Sequence, residues 1–183
     1  MKKRVFLSLA ALVFCATAPL AVYAQQGKKA AVVYYSLSGS TDKVARKIAD
    51  VTGAVLIRIE TSEPYDTKDM NKLRDYVKNQ QNTKKWPALK PISINLANFD
   101  TVFLGSPVWF AGIACPMVTF LNQTDFKGKK VVTFGTKGGG EGNFFSDFKK
   151  YVKNGTVENG IVFTGSDKDL DKKVTDWVKK VKL

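Results

Sequence analysis

Residues 32–45 read VVYYSLSGSTDKVA and pass from an apolar, β-branched and aromatic run into four hydroxyl residues around one glycine. Apolar residues then return at the helical spacing of Val44, Ala45 and Ile48. This change of period predicts a buried strand, a loop and a helix. The hydroxyl groups fall at the carboxyl end of the strand and at the start of the helix.

Two interpretations of this loop are open. The N-terminus of a helix presents unpaired backbone N–H groups and the positive end of the helix dipole, so it holds a phosphate without any cationic side chain. The four hydroxyls would add donors, and Gly39 would let the backbone approach a ligand closely. The simpler alternative is an ordinary turn in which Ser40 or Thr41 caps the helix.

The rest of the chain alternates between apolar strand-like runs and helical patterns. We predict further strands at 54–60, 101–105, 130–135 and 160–165, and further helices at about 66–78, 117–123, 144–152 and 170–181. Such alternation predicts a parallel sheet with helices on both faces. The expected fold is a three-layer α/β/α sandwich around a five-stranded parallel sheet of order 2-1-3-4-5.

Ligands of such a sheet bind outside the carboxyl ends of the strands, where the winding direction reverses. The loop after strand three carries Trp109, which offers a large ring for a flat ligand to stack on. The loop after strand four has four glycines between Gly138 and Gly142, so its backbone can run against such a ligand. Taken alone, Trp109 could be a core residue and the glycine run a flexible loop.

Three motifs in this order, Ser36-x-Ser38-Gly39-x-Thr41, Gly105-x-Pro107-x-Trp109 and Thr136-x-Gly138-Gly139-x-x-Gly142-Asn143, resemble those of the flavodoxin family. The resemblance covers essentially all of the chain after residue 24 and implies non-covalent binding of FMN. It assigns the FMN phosphate to Ser36, Ser38, Gly39, Ser40 and Thr41. It assigns the flavin ring to the two later loops, at Pro107, Trp109, Phe110, Gly112, Thr136, Gly138 and Gly139.

The first 24 residues form a separate segment. A basic start at residues 2–4 precedes a nearly continuous apolar run, and Ala24 supplies the small residue that a signal peptidase requires. We predict a signal peptide at 1–24, one FMN-binding domain at 25–183, and a periplasmic or secreted protein. The apolar run is interrupted by polar residues and Pro19, so we expect no stable membrane insertion after cleavage.

The formal charge of +13 falls to +10 without the predicted signal, which carries three basic residues and no acidic ones. This surplus favours an acidic partner, whereas no recognisable module favours nucleic acid. The chain has no histidine, which excludes imidazole catalysis and a Cys/His zinc site, and we predict no metal and no catalytic side chain. Cys115, the one cysteine after the signal, is expected to be a buried apolar residue rather than a reactive thiol.

The leading functional hypothesis is an exported electron carrier that passes electrons through FMN to an acidic redox protein or a small quinone-like acceptor. One alternative is an NAD(P)H- or quinone-linked flavin reductase that uses the same loops. Another is an anion-binding module without a flavin. The sequence does not identify the electron donor, the acceptor or the oligomeric state.

Overall fold

The computed structural model describes residues 29–164 and 167–183, so the predicted signal peptide lies outside the described residues. The strands are β1 (Ala30–Tyr34), β2 (Val55–Arg58), β3 (Thr101–Trp109), β4 (Gly112–Ile113), β5 (Lys130–Lys137) and β6 (Thr156–Thr164). The helices are α1 (Ser40–Thr52), α2 (Met70–Thr83), α3 (Cys115–Gln123), α4 (Phe144–Tyr151) and α5 (Leu170–Val178), with a short 3-10 helix at Leu96–Asn98.

The five long strands are parallel and lie in the order β2-β1-β3-β5-β6. This arrangement confirms the predicted 2-1-3-4-5 order, because the additional strand β4 is a two-residue element outside that path. β4 pairs antiparallel with the end of β3 and turns residues 108–113 into a hairpin. The winding direction therefore reverses between β1 and β3, as expected.

Alternate residues of the central strands supply two separate cores. Val33 of β1 packs into the core that contains Phe144 and Phe148 of α4. Val32 packs into the core on the opposite face, which contains Ile48 of α1 and Val174 of α5. Continuous apolar runs such as residues 30–35 are buried on both faces because helices cover both sides of the sheet.

Several element boundaries differ from the sequence-based prediction by four or five residues; α2 ends at Thr83 rather than near residue 78, and β6 begins at Thr156 rather than at residue 160. Helix α2 begins at Met70 rather than near residue 66, because the carboxylate of Asp69 accepts hydrogen bonds from the backbone N–H groups of Asn71 and Lys72 and so caps the helix. Strand β3 continues past Gly105 to Trp109, because Ser106 and Pro107 still align with Gly135 and Thr136 of β5. Among the described residues, no helix is both long and apolar enough to cross a membrane.

Candidate functional site

The loop after β1 leaves the start of α1 open. Gly39 occupies the N-cap position with a φ of 90°, and no described side chain caps the helix. The alternative interpretation, in which Ser40 or Thr41 is the N-cap, is therefore wrong, because Ser40 already lies inside the helix. The first backbone bond of α1 runs from the Lys43 N–H to the Gly39 carbonyl at 3.1 Å. The N–H groups of Ser40, Thr41 and Asp42 therefore lie in the first turn, where they can donate hydrogen bonds to a bound anion.

The hydroxyls of this loop serve two purposes. Ser38 and Ser40 point their Oγ atoms towards each other at 3.5 Å and line an open cleft. The buried Ser36 Oγ instead accepts a hydrogen bond from the Gly39 N–H at 3.1 Å, which shapes the turn. The buried hydroxyl of Thr41 bonds that of Thr136 at 2.8 Å and so ties the loop to the end of β5.

An acidic residue in the first turn of α1 is neutralised by its neighbours. Asp42 accepts a hydrogen bond from Arg46 Nε at 2.7 Å and another from the Tyr34 hydroxyl. The hydrogen bond from Arg46 is the main cause that lowers the pKa of Asp42. The pKa of Tyr34 is raised to about 12, mainly by burial and secondly by its hydrogen bond to Asp42. An anion at the helix start therefore meets a carboxylate that is already paired.

Arg58 is a cation beside this loop that the motif analysis missed. Its Nη2 donates to the Ser36 carbonyl at 3.1 Å, and its Nη1 lies 3.9 Å from Asp42. Arg58 aligns with Tyr34 in the β1–β2 register, which brings it to the same sheet edge as the loop. The position of Arg58 at the end of a predicted strand is the sequence signal that could have indicated it.

Trp109 is held at a defined angle by two tyrosines and one amide. The Tyr35 and Tyr65 rings meet the indole edge to face, with centroids at 5.6 and 5.3 Å. Gln81 of α2 donates its side-chain N–H to the Trp109 carbonyl at 3.2 Å. Perpendicular ring pairs of this kind are favourable and restrict rotation. The indole is therefore positioned before any ligand arrives.

The hairpin turns at Phe110 and Ala111, whose φ angles are 47° and 65°. Two consecutive positive φ angles define a type I′ turn, which normally carries Asn-Gly. Gly112 follows, and a Cβ there would lie 2.5 Å from the Asp147 carboxylate, which accepts the Ile113 N–H at 3.2 Å. Burial raises the pKa of Asp147. A side chain at position 112 would have to push the Asp147 carboxylate of α4 away from the hairpin.

The glycine loop, residues 138–142, follows β5. A Cβ at Gly138, Gly139 or Gly140 would meet no heavy atom within 4 Å, so three successive positions present open backbone. The loop is attached to the hairpin at its far end, where the Asn143 N–H donates to the Ala111 carbonyl at 2.6 Å. A movement of the hairpin is therefore transmitted to the glycine loop.

The loop after β1, the carboxyl ends of β3 and β5 and the start of the glycine loop line one cleft of about 470 Å³ at the carboxyl edge of the sheet. Its volume lies within the roughly 300–1,000 Å³ that is usual for small-molecule and cofactor sites. The predicted residues that line it are Ser38, Ser40, Pro107, Trp109, Thr136 and Gly138. The predicted residues outside this lining are Ser36, Gly39, Thr41, Phe110, Gly112 and Gly139. The contacts of all twelve residues with FMN stay predictions.

Cys115 lies away from this cleft, at the first position of α3. The residue is fully buried and packs with Leu73 and Val77 beneath α2. Burial raises the pKa of its thiol to about 11, so the thiolate is disfavoured at neutral pH. The structure confirms the expectation of a buried apolar residue.

Comparisons with known proteins agree with this geometry. The family model described as Flavodoxin matches residues 29–181. A solved flavoprotein of Lactobacillus acidophilus in complex with FMN has 30% identity and a TM-score of 0.68, covering 82% of this chain and 99% of its own. A candidate flavoprotein of Bacteroides uniformis has 26% identity and a TM-score of 0.73, covering 85% of this chain and 100% of its own.

One curated relative is similar over a shorter stretch. The flavodoxin-like domain-containing protein BilS of Clostridioides difficile is 32% identical over 113 residues, which are 62% of this chain. The aligned part spans 49% of that protein, about half of its length.

Proposed function

Because the chain belongs to the flavodoxin family, we propose that it binds FMN non-covalently and transfers electrons through the flavin to a redox partner. One observation carries this proposal: the loop after β1, the carboxyl ends of β3 and β5 and the start of the glycine loop line a single cleft of about 470 Å³ at the carboxyl edge of the sheet. Bound FMN supplies the reversible uptake and release of electrons, while the protein binds and orients it.

Different residues of the chain suit the phosphate and the ring of FMN. The phosphate of FMN is anionic, so it belongs at the uncapped start of α1 with the hydroxyls of Ser38 and Ser40 as further donors. The ring belongs between Trp109 and Gly138, where one aromatic side chain and open backbone line the cleft. Histidine is absent from the sequence, so imidazole plays no part in moving protons.

We further propose that the protein works outside the cytoplasm and meets acidic partners. This part rests on the basic and apolar pattern of residues 1–24 and on the charge of +10 that remains without them. If the chain crosses the membrane unfolded, it must acquire FMN afterwards, so its site must bind the cofactor from dilute solution.

The first test compares FMN with riboflavin, which has the same ring but no phosphate. Purified protein without its first 24 residues is titrated with each, and binding is followed by quenching of flavin fluorescence. We expect FMN to bind more tightly. In the Ser38→Ala/Ser40→Ala variant the affinity for FMN should fall about tenfold or more, because hydrogen bonds to charged groups contribute roughly 1.5–3 kcal/mol.

A matched variant controls for the loss of two hydroxyls as such. Ser62 and Ser93 are exposed and lie outside the cleft, so Ser62→Ala/Ser93→Ala should bind FMN like the parent protein. Riboflavin affinity should be the same in all three proteins. A parent protein that takes up no FMN, or that binds riboflavin equally well, would refute the proposal.

A further inference from the structure

An apolar groove lies beside the flavin cleft and shares Trp109 with it. Its walls are formed by α2 and the tip of the hairpin, through Met70, Leu73, Val77, Trp109 and Phe110. The groove has a volume of about 150 Å³. Phe110, which the family resemblance assigns to the flavin ring, lines this groove and not the cleft.

The rim of the groove exposes large apolar side chains to solvent. Met70 is 61% exposed and Phe110 is 44% exposed. They are two of the five large apolar side chains that are exposed in the described part of the chain. A cluster of such residues next to a functional cleft is typical of a surface that another protein covers.

The charges beside the groove are positive. One face of α2 is formed by residues at helical spacing, namely Met70, Leu73, Arg74, Val77 and Lys78. Within the described residues, neither Arg74 nor Lys78 has a carboxylate partner, and Lys78 Nζ lies 5.5 Å from the centre of the Phe110 ring. This face therefore combines an apolar centre with two cations that a carboxylate can approach.

The hairpin maintains Phe110 at this position at an energetic cost. Both Phe110 and Ala111 have left-handed backbone conformations, which are unfavourable for an L-residue with a side chain. An Asn-Gly turn would relieve this strain but would remove the aromatic ring from the tip. Strained backbone that persists next to a functional cleft is a reason to look for a function there.

We propose that these residues form a docking surface for an acidic protein partner, which inserts one large apolar side chain into the groove and places carboxylates near Arg74 and Lys78. The volume of about 150 Å³ favours a side chain over a whole ligand, because small-molecule sites usually enclose roughly 300–1,000 Å³. Buried anchors of this kind dominate protein interfaces. The inference rests on the proposed function, since Trp109 links the docking surface to the flavin cleft.

The test uses two iron proteins of opposite charge as probes: an acidic rubredoxin and a basic cytochrome c. One electron passes from the reduced, FMN-loaded protein to ferric iron, which becomes ferrous, and stopped-flow absorbance follows the rate. In Arg74→Glu/Lys78→Glu the second-order rate constant with rubredoxin should fall at least tenfold, while that with cytochrome c should rise. Met70→Gln should slow the reaction with rubredoxin several-fold, because it removes an apolar contact without changing the charge.

Matched variants distinguish docking from total charge. Lys179→Glu/Lys180→Glu changes the net charge equally at the end of α5, and Val51→Gln replaces an exposed apolar residue of α1. Both should keep rubredoxin rates within twofold of the parent. Equal losses in the α2 and α5 double variants would overturn the proposal, since they would show a general charge effect.

A second readout does not depend on the flavin. Backbone amide shifts of the labelled protein are recorded during titration with rubredoxin, with and without FMN. Shifts concentrated in residues 70–78 and 108–111 support the docking surface, and shifts elsewhere or none at all overturn it. If the protein binds no FMN, the proposed function is refuted, but the amide shifts recorded without FMN still test the docking surface.

Discussion

At the scale of single residues, Trp109 has the largest number of roles. Its ring lines the cleft that we assign to FMN, and it also lines the groove that we assign to a partner. Tyr35 and Tyr65 fix the ring angle through edge-to-face contacts, and Gln81 fixes the backbone. The indole is therefore the contact that the two proposed sites share.

Cys115 allows a prediction about reactivity and pH. The thiol is fully buried and its pKa is raised to about 11, so the thiolate that reacts with disulfide reagents is scarce in the folded protein. We expect no labelling by a disulfide reagent at pH 8 in the native protein and complete labelling in denaturant. Rapid native labelling would contradict this.

The same pKa has a consequence for stability. The folded pKa lies above the ordinary value of 9.0, so the burial of the neutral thiol contributes fully below pH 9 and is lost as the pH rises towards 11. The loss approaches about 2–3 kcal/mol, at roughly 1.4 kcal/mol per pKa unit. Denaturant unfolding of the parent and of Cys115→Ala should therefore converge with rising pH, whereas a constant difference would contradict the linkage.

At the scale of elements, the hairpin and the glycine loop behave as one unit. Ala111 accepts the Asn143 N–H, and Asp147 of α4 accepts the Ile113 N–H. Gly142 has a φ of 50°, and a Cβ there would lie 2.6 Å from the Ala111 carbonyl oxygen. Trp109 of β3 and Gly138 of the glycine loop both line the cleft.

Gly142→Ala should therefore loosen this unit. The substitution combines a left-handed conformation with a clash against backbone, so we expect a loss of about 1–3 kcal/mol in unfolding free energy. Displacement of the hairpin should also weaken FMN binding several-fold. Denaturant unfolding and fluorescence titration measure the two effects.

Gly140→Ala is the matched control for this substitution. Its Cβ would meet no heavy atom within 4 Å, and its φ is not positive, so it should leave both quantities near those of the parent. Equal effects of the two substitutions would contradict the prediction, because they would show that any side chain in the glycine loop lowers stability and FMN affinity, whether or not it meets the hairpin.

At the scale of the whole molecule, the chain carries a large surplus of positive charge. The sequence has 29 basic and 16 acidic residues. A field of this sign favours the more negative, reduced form of a bound flavin. We predict a midpoint potential that is less negative than in flavodoxins with acidic surfaces.

Salt provides the internal control for this prediction. Raising the ionic strength shortens the range of the field, so the midpoint potential should become more negative between about 0.01 and 1 M salt. Redox titration of the FMN-loaded protein at both concentrations measures the shift. A potential that is independent of salt, or as low as that of acidic flavodoxins, would contradict the prediction.

The local pattern of the sequence was sufficient for the fold and for the outline of the cleft. The change of period at residues 32–45 predicted β1 and α1, and alternation along the chain predicted a doubly wound sheet. The motif loops led to six residues that line one cleft. These inferences succeed because burial and chain direction are encoded by residues that are close in sequence.

The tertiary structure alone decided how those residues are used. Ser36 and Thr41 belong to the same motif as Ser38, yet their hydroxyls bond to Gly39 and Thr136 inside the protein. Phe110 follows Trp109, yet it faces α2 across a different groove. The physical reason is that a hydrogen bond between positions 41 and 136, or a ring packed against a separate helix, depends on distances that only the packed sheet and helices set.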